Sequence, residues 1–475
     1  MKEIILKKTV SAAIGNKAIR TVLKSLINKE IRKKLHEMKR ETIPTFVESR
    51  YRWFAALIER LHLNLDKGYI KKEVMMKAIQ AFAGETFAID RTERLNQVQE
   101  AYKDKYDEYP PLFVTLSPTQ ACNLKCIGCY ACSDSGTRSF LPYEMVRKII
   151  TDLHDNMSNK FITISGGEPF MYQDNGKTIF DLFAEFKDMY FMVYTNGTLL
   201  NQENCEKLAQ LGNVSPSISI EGWENETDER RGKGTFSKIL EGVRNLKKAG
   251  VPFGFSSTIT SKNAEIFKDE KIYDYLFEEL GTSYLWIFHM MPIGRAKDTL
   301  PLVISSKQRV ELFRLWERML YEKKYCVADF WNSGCMVDGC VGYARWNGYF
   351  YINWDGKIMP CVFVPFYEET VYEVYDSGRT IGDALQAPIF QNGRAWQKEY
   401  GYCSSQKENI LMPCSIRDHF ENFKSNILSD NAKPENEEAL QMLKDPEIEK
   451  ALLHMEDELR LLTEEIWEEE FLQMV

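Results

Sequence analysis

Three cysteines, Cys122, Cys126 and Cys129, stand with three and then two residues between them, directly after an apolar run, Leu112 to Leu116. Thiolates at that spacing can hold three irons of a [4Fe–4S] cube and leave the fourth iron without a protein ligand. A small molecule can bind there and take an electron. A second apolar run, Phe161 to Ile164, ends in Ser165-Gly166-Gly167-Glu168-Pro169. Two glycines at a strand end let backbone polar groups come close to a ligand, and Glu168 can accept hydrogen bonds from an ammonium group. A third run, Phe191 to Tyr194, leads into Thr195-Asn196-Gly197-Thr198, and a fourth, Ser217 to Ile220, into Glu221-Gly222. Arg231-Gly232 follow, then a helix entered at Gly234-Thr235-Phe236.

The elements that must position these residues are legible from periodicity. Strand-like runs at Leu112–Leu116, Phe161–Ile164, Phe191–Tyr194, Ser217–Ile220, Phe253–Ile259 and Tyr284–Met290 alternate with helical stretches that include Pro142–Met157 and Phe236–Ala249. Such alternation predicts an α/β fold with parallel strands joined by helical crossovers. The motif residues fall just past the strand ends, where a β/α barrel builds its site.

In this set the chain resembles the radical S-adenosylmethionine (radical SAM) superfamily, over roughly residues 111–295. The resemblance implies an open, six-unit partial TIM barrel, with Cys122, Cys126 and Cys129 holding a [4Fe–4S] cluster whose open iron is chelated by the methionine end of S-adenosylmethionine. Gly166, Gly167 and Glu168 would seat the SAM amino group, with Pro169 ending the strand. Asn196, Ser219 and Arg231 would reach its ribose or carboxylate. An electron would cleave SAM to methionine and a 5′-deoxyadenosyl radical, which takes hydrogen from an unactivated C–H bond. The cofactor performs the hard step and the protein positions the substrate. The family places substrate contacts at the end of the sixth strand, which makes His289 a candidate proton donor. Glu221 is a candidate for ribose contact or acid–base work. Gly128 stands where many family members carry an aromatic residue, and Tyr130 or Phe170 is expected to supply that wall. With Cys132, four thiols are available for a structural zinc or a closed cluster, a reading that gives the Gly-Gly-Glu-Pro segment no role.

A second cysteine set follows the barrel: Cys335, Cys340, Cys361, Cys403 and Cys414. Cys340, Gly356 and Cys361 frame a hairpin, Tyr349 to Met359, with its turn at Asp355-Gly356. That Cys-x15-Gly-x4-Cys frame resembles the opening of the SPASM extension of radical SAM enzymes. The extension's later four-cysteine run is missing. One auxiliary [4Fe–4S] cluster is therefore expected, on Cys335, Cys340, Cys361 and Cys414, with Cys403 in reserve and a structural zinc as the competing use. In sulfatase-maturing relatives an acidic base follows the cysteine of the Gly-x4-Cys element, whereas Val362 stands here, which argues against that chemistry. Ile416-Arg417-Asp418-His419 would supply further contacts, or Asp418 would cap a helix. Cys205 and Cys326 read as core thiols.

The chain of 475 residues divides into a helical region (1–108), the barrel (109–325), a small auxiliary-cluster extension (326–425) and an acidic helical tail (426–475). The net charge of −8 hides a polarity, with thirteen Lys/Arg against five Glu in residues 1–50 and sixteen Asp/Glu against five Lys/Arg in residues 421–475. Such polarity marks a partner or surface, or termini that pack on one another. From Lys17 to Arg40, Ile19, Val22, Leu23, Leu26, Ile27, Ile31, Leu35 and Met38 recur at helical spacing. That basic amphipathic helix suits packing on the barrel, or peripheral contact with the inner membrane surface. No apolar run is long enough to span a bilayer, and the start lacks a signal-peptide pattern. Eleven cysteines then read as reduced thiols and ligands. The expectation is a cytoplasmic protein working under anaerobic or protected conditions. No basic stripe with stacking aromatics appears, so nucleic acid is not an expected partner. The partners are a reductant such as flavodoxin or ferredoxin and a substrate read as a peptide or protein side chain. The alternatives are a lipid chain at the membrane surface, a small metabolite, or a non-enzymatic iron–sulfur electron carrier.

Overall fold

The computed structural model describes residues 15–37, 42–83, 89–294, 300–404 and 406–472. The six predicted strands form as β1 (Phe113–Leu116), β2 (Phe161–Ile164), β3 (Tyr190–Thr195), β4 (Val214–Ser219), β5 (Gly254–Ile259) and β6 (Leu285–His289). They pair in parallel, neighbour to neighbour in chain order. Two strands beyond the predicted six extend this sheet. β7 (Val327–Asp329) adds to β6, and β8 (Tyr349–Ile352) adds to the opposite edge, in parallel with β1 from Phe113↔Tyr349 to Leu116↔Ile352. A short β9 (Ile358–Met359) returns antiparallel on β8 across a turn that holds Gly356 at φ 77°. The predicted hairpin is thus present, and its first strand is part of the barrel sheet. The order β9-β8-β1-β2-β3-β4-β5-β6-β7 leaves the curled sheet open between β7 and β9.

Strand alternation sorts the side chains onto two faces. Val114, Leu116, Ile162, Ile164, Phe191, Val193, Ile218, Phe255 and Ile259 are fully buried on the outer face. The inner face is hydroxyl-rich. Thr115 and Thr163 are bonded at 2.6 Å, Ser117 and Ser165 at 3.0 Å, and Ser219 and Ser256 at 3.3 Å, and Tyr351 donates to Ser117 at 3.0 Å. An outer apolar face needs helices over it, while this inner face can line a cavity.

Four helices precede the barrel, α1 (Lys17–Glu37), α2 (Pro44–Asp66), α3 (Lys72–Ala83) and α4 (Ile89–Tyr106). Among the crossovers, α5 (Tyr143–Met157) buries Val146, Ile149, Ile150, Leu153 and Met157, and α6 (Thr235–Ala249) buries Ile239, Val243 and Leu246. α7 (Ser306–Tyr321) opens with a Ser305/Gln308 capping box and leads into β7. In the acidic tail, α8 (Pro446–Trp467) buries Leu452 and Leu459, while Leu462 is exposed and Thr463 and Trp467 take the inner face.

The basic helix α1 lies on α2 through Lys24–Glu59 at 2.6 Å and Arg32–Glu48 at 2.9 Å, not on the acidic tail. Its apolar stripe is split. Leu23, Ile31 and Leu35 are half-buried, whereas Ile19, Val22, Leu26 and Ile27 are exposed. Met38 to Arg40 lie outside the described residues. The two ends of the chain do meet through α2, where the Phe46 ring packs at 6.3 Å from Trp467 and 6.1 Å from Phe471. Among the described residues no helix is long and apolar enough to cross a membrane.

Candidate functional site

The loop after β1 carries Cys122, Cys126 and Cys129 and is fastened to the segment after β2. Gly167 N–H donates to Thr119 O at 2.8 Å, and Glu168 N–H to Ala121 O at 2.8 Å. A Cβ on Gly167 would stand 2.1 Å from Ala121 O, and one on Gly166, at φ 115°, 2.4 Å from Thr119 O. The two glycines are therefore required first by the close passage of the cysteine loop. Gly128 has φ 65°, a conformation that disfavours the aromatic residue usual at that point. Tyr130 instead reaches the inner face and donates to Ser165 at 3.2 Å, while Phe170 stacks on Phe180.

Glu168 is fully buried, and three donors engage its carboxylate. Oε1 accepts from Phe170 N–H at 3.2 Å and the Thr195 hydroxyl at 2.8 Å, and Oε2 accepts from Asn196 N–H at 2.8 Å. Burial raises its pKa to about 7 against the opposing pull of these donors. The side chain thus clasps the ends of β2 and β3, with both carboxylate oxygens engaged. Pro169 opens a short turn, Pro169–Met171. Asn196 Nδ2 lies 3.7 Å from Cys122 Sγ and donates to Asn123 Oδ1 at 2.8 Å, and its Oδ1 accepts from Thr198 N–H at 2.9 Å. Arg231 Nη1 lies 3.9 Å from Cys126 Sγ. Cationic and amide N–H groups around sulfur suit thiolates. Burial pushes the Cys122 thiol up to about 12, so a bound metal would have to draw off its proton.

Glu221 is buried and engaged on every side. Oε1 accepts from Arg230 and from Arg231 Nε at 2.8 Å, and Oε2 accepts from Thr258 N–H at 3.0 Å. Its carboxylate holds Arg231, which faces the cysteine loop, so both oxygens expected for ribose contact or acid–base work are engaged within the protein. Ser219 is half-buried on the inner face beside Ser256.

His289 is placed differently from the prediction. Alternation puts Phe288 on the inner face, 5.8 Å from the Tyr194 ring, and turns His289 to the outer side. There His289 Nε2 meets Asp329 Oδ2 at 2.9 Å, and Arg417 Nη1 meets Nδ1 at 3.1 Å. Because the guanidinium can only donate, Nδ1 is the acceptor and Nε2 carries the proton. Burial, more than any charge, lowers its pKa and keeps it neutral. Both ring nitrogens are occupied within the protein, so it presents no proton to a substrate. Asp329 carried no signal in the sequence and joins the network only because β7 pairs with β6.

The second cysteine set divides. Cys340, Cys361 and Cys414 come together: the charge of Cys340 raises the pKa of Cys361 and of Cys414, and that of Cys361 raises Cys414 as well. Tyr349 hydroxyl lies 2.9 Å from Cys361 Sγ, and Phe363 N–H points to the same sulfur at 3.4 Å. Backbone N–H groups of Gly342 and Ser415 reach Cys340, and that of Arg417 reaches Cys414. One buried and two half-buried thiols with N–H donors around them fit thiolates of an iron–sulfur cluster. Cys335 instead faces Ser49, Glu317 and Arg50. Cys403 lies in a surface cleft of about 330 Å³ with Tyr109, Trp346 and Tyr402. Cys205 and Cys326 are buried core thiols. Among the described residues no three His, Cys, Asp or Glu side chains converge as a single metal ion requires. A cube differs in taking its thiolates at separate corners. Asp418 does not cap a helix: it accepts from Cys414 N–H at 3.1 Å and pairs with Arg309.

Residues 116–276 match the radical SAM superfamily. The chain is 32% identical over 217 residues to Fe-coproporphyrin III synthase of Methanosarcina barkeri, covering 45% of this chain and 53% of that protein. It is 29% identical over 263 residues to the sporulation killing factor maturation protein SkfB of Bacillus subtilis, covering 54% and 61%. The chain thus spans little more than half the length of these curated relatives. Its fold is similar to that of Streptococcus suis SuiB solved with the precursor peptide SuiA, at a TM-score of 0.50 and 16% identity over 65% of this chain and 72% of that one. Members of this family use a [4Fe–4S] cluster and SAM, and relatives of the SPASM type carry auxiliary clusters. The matched segment contains the cysteine loop and the glycines that fasten it, and residues 116–276 are accordingly a radical SAM domain by similarity.

Proposed function

We propose that this protein removes a hydrogen atom from a C–H bond of a peptide or protein side chain, with an auxiliary [4Fe–4S] cluster on Cys340, Cys361 and Cys414 as its second redox centre. When bound, the cluster on Cys122, Cys126 and Cys129 together with SAM supplies a 5′-deoxyadenosyl radical. One observation carries the reading. Aromatic rings run along the inner face from the first cysteine set towards the second: Tyr130 follows Cys129, Tyr194 meets Phe288 at 5.8 Å, Phe288 meets Phe330 at 5.5 Å, and Phe330 meets Phe363 at 5.6 Å and Tyr349 at 6.1 Å. Tyr349 ends the series on Cys361. A substrate on that wall lies between the two thiol sets, with water displaced by rings.

The chain's own groups hold and shield. Glu168 and Asn196 fix the cysteine loop, Glu221 aims Arg231, and the inner hydroxyls offer hydrogen bonds to a polar backbone. Glu221 and His289 are engaged inside the protein and neither is free as an acid or base, which suits hydrogen-atom transfer more than proton transfer. The names of SkfB and of SuiB with its precursor peptide support a peptide substrate, and that of the coproporphyrin synthase supports a small metabolite. A lipid substrate is favoured by a separate observation, the exposed ridge Ile19, Val22 and Leu26 on the basic helix α1. A flavodoxin or ferredoxin is the proposed reductant, and a cytoplasmic protein with peripheral membrane contact is the matching location.

The test is 5′-deoxyadenosine release by anaerobically reconstituted protein given SAM and reductant, with peptide, lipid and metabolite fractions added separately. Stimulation by peptide alone supports the first reading, and stimulation by lipid alone moves the substrate to the membrane surface. No release from protein with both sites loaded would overturn the activity.

A further inference from the structure

The turn that carries Cys414 also carries Arg417, and the turn is rigid. Asp418 N–H donates to Cys414 O at 2.8 Å, and Cys414 N–H donates back to Asp418 Oδ2 at 3.1 Å. Asp418 is gripped by Arg309 of α7 at 2.5 and 3.1 Å, with both side chains 2% exposed. Arg417, itself 2% exposed, is therefore held in one place. Its Nη1 donates to the neutral His289, which is anchored by Asp329, and its guanidinium stands 5.5 Å from the Trp331 ring centre. Its Nη2 is buried and has no hydrogen-bond partner among the described residues. Its Nη1 partner is an uncharged ring, and the nearby Asp418 is already gripped by Arg309. Leaving a charged N–H donor buried without an acceptor is costly, so the site is incomplete as it stands. Arg417 gives its own backbone N–H to Cys414, and the charges of Asp418, Cys414 and Asp329 act on its guanidinium; of these, both carboxylates already have other partners.

We propose that Arg417 donates its free Nη2–H to a sulfur of the cluster held by Cys340, Cys361 and Cys414, and thereby sets that cluster's reduction potential. The inference rests on the auxiliary-cluster reading above. Hydrogen bonds to sulfur and a less negative net charge both favour the reduced state. Three thiolates carry less negative charge than four, and a fixed guanidinium adds a positive charge beside them. Both effects act in one direction, towards a cluster that accepts an electron readily. His289 and Asp329 serve here as the bracket that aims the guanidinium, which gives a role to a histidine that does not face the substrate wall.

The experiment isolates the auxiliary cluster in full-length protein with Cys122, Cys126 and Cys129 all changed to Ala. Iron and sulfide are counted after reconstitution, and the midpoint potential is read by EPR-monitored titration. The same background then carries Arg417→Met or Arg417→Lys. Arg417→Met is expected to lower the reduction equilibrium about tenfold, equivalent to about 59 mV for a one-electron couple, and Arg417→Lys is expected to fall between. A loaded Arg417→Met protein at the parent potential overturns the proposal. Should Arg417→Met hold no cluster, Arg417→Lys decides: an unchanged potential overturns the proposal and a lowered one supports it. Absence of any cluster from the triple-Ala parent would overturn the auxiliary-cluster reading, with the proposal falling alongside it.

Discussion

The Glu168 carboxylate accepts the backbone N–H of Asn196 at 2.8 Å, which ties the segment after β2 to the end of β3. Asn196 in turn approaches Cys122 Sγ and holds Asn123, so one buried acid organises the cysteine loop from behind. Burial raises its pKa to about 7 from an ordinary 4.5. Between those values the native state binds the proton and the unfolded chain does not, so the contribution of Glu168 to stability is full below pH 4.5 and is lost as pH rises towards 7. The contribution is about 3 kcal/mol. Glu168→Gln cannot ionise, and thermal melts of the apo-protein from pH 5 to pH 8 should show a flatter profile than the parent. Parallel profiles would remove Glu168 as their cause.

Gly167 tests the fastening itself. A methyl group there meets the Ala121 carbonyl at 2.1 Å, and backbone has no rotamer with which to yield. Gly167→Ala should keep the far-UV circular dichroism of the parent while losing most of the iron held by the first cysteine set. That loss is read against a Cys340/Cys361/Cys414→Ala background, where no other cluster contributes.

These two sites mark how far the sequence could be read. The six central strands are legible because each is a short apolar run followed by glycine, asparagine or charge, and β2 has the predicted limits. β7 is only Val-Ala-Asp, too short to show a period, and β8 shows its hairpin turn but not its partner. Its pairing with β1, Phe113 to Tyr349, joins positions half the chain apart. The first thiol triad is legible as spacing and the second only within a set of four that includes Cys335, whereas the duties of the acids are not legible. Glu168, Glu221 and His289 are named correctly as strand-end groups, yet their partners, Thr195, Thr258, Asp329 and Arg417, come from other elements. Only the register of the sheet brings them together.

His289 gives a second pH test of opposite sign. Burial lowers its pKa from 6.5, so below that value the unfolded chain takes up a proton that the native state refuses. Its contribution is complete above about pH 6.5 and is lost as pH falls from there. His289→Gln should remove that part of the decline in melting temperature between pH 7 and pH 5. At pH 7 the variant should be less stable by about 1 kcal/mol, since the Gln amide meets Asp329 and Arg417 with poorer geometry than the ring. An unchanged slope would mean that another group titrates.

The auxiliary site makes the sharpest distinction between spacing and structure. Spacing assigns Cys335, Cys340, Cys361 and Cys414 to one cluster, but the Cys335 thiol faces Ser49, Glu317 and Arg50 on the far side of its short helix, Gly334–Val337. Burial pushes that thiol up to about 12, as it does Cys361, so its neighbours and not its acidity set it apart from the three thiols that meet. Removing it should cost packing and nothing more. In the Cys122/Cys126/Cys129→Ala background, Cys335→Ala should keep the parent's iron and sulfide content and its EPR signal. Cys414→Ala should lose both, because it removes one of the three thiols that meet. A Cys335→Ala protein stripped of iron, with its fold intact by circular dichroism, would return Cys335 to the ligand set.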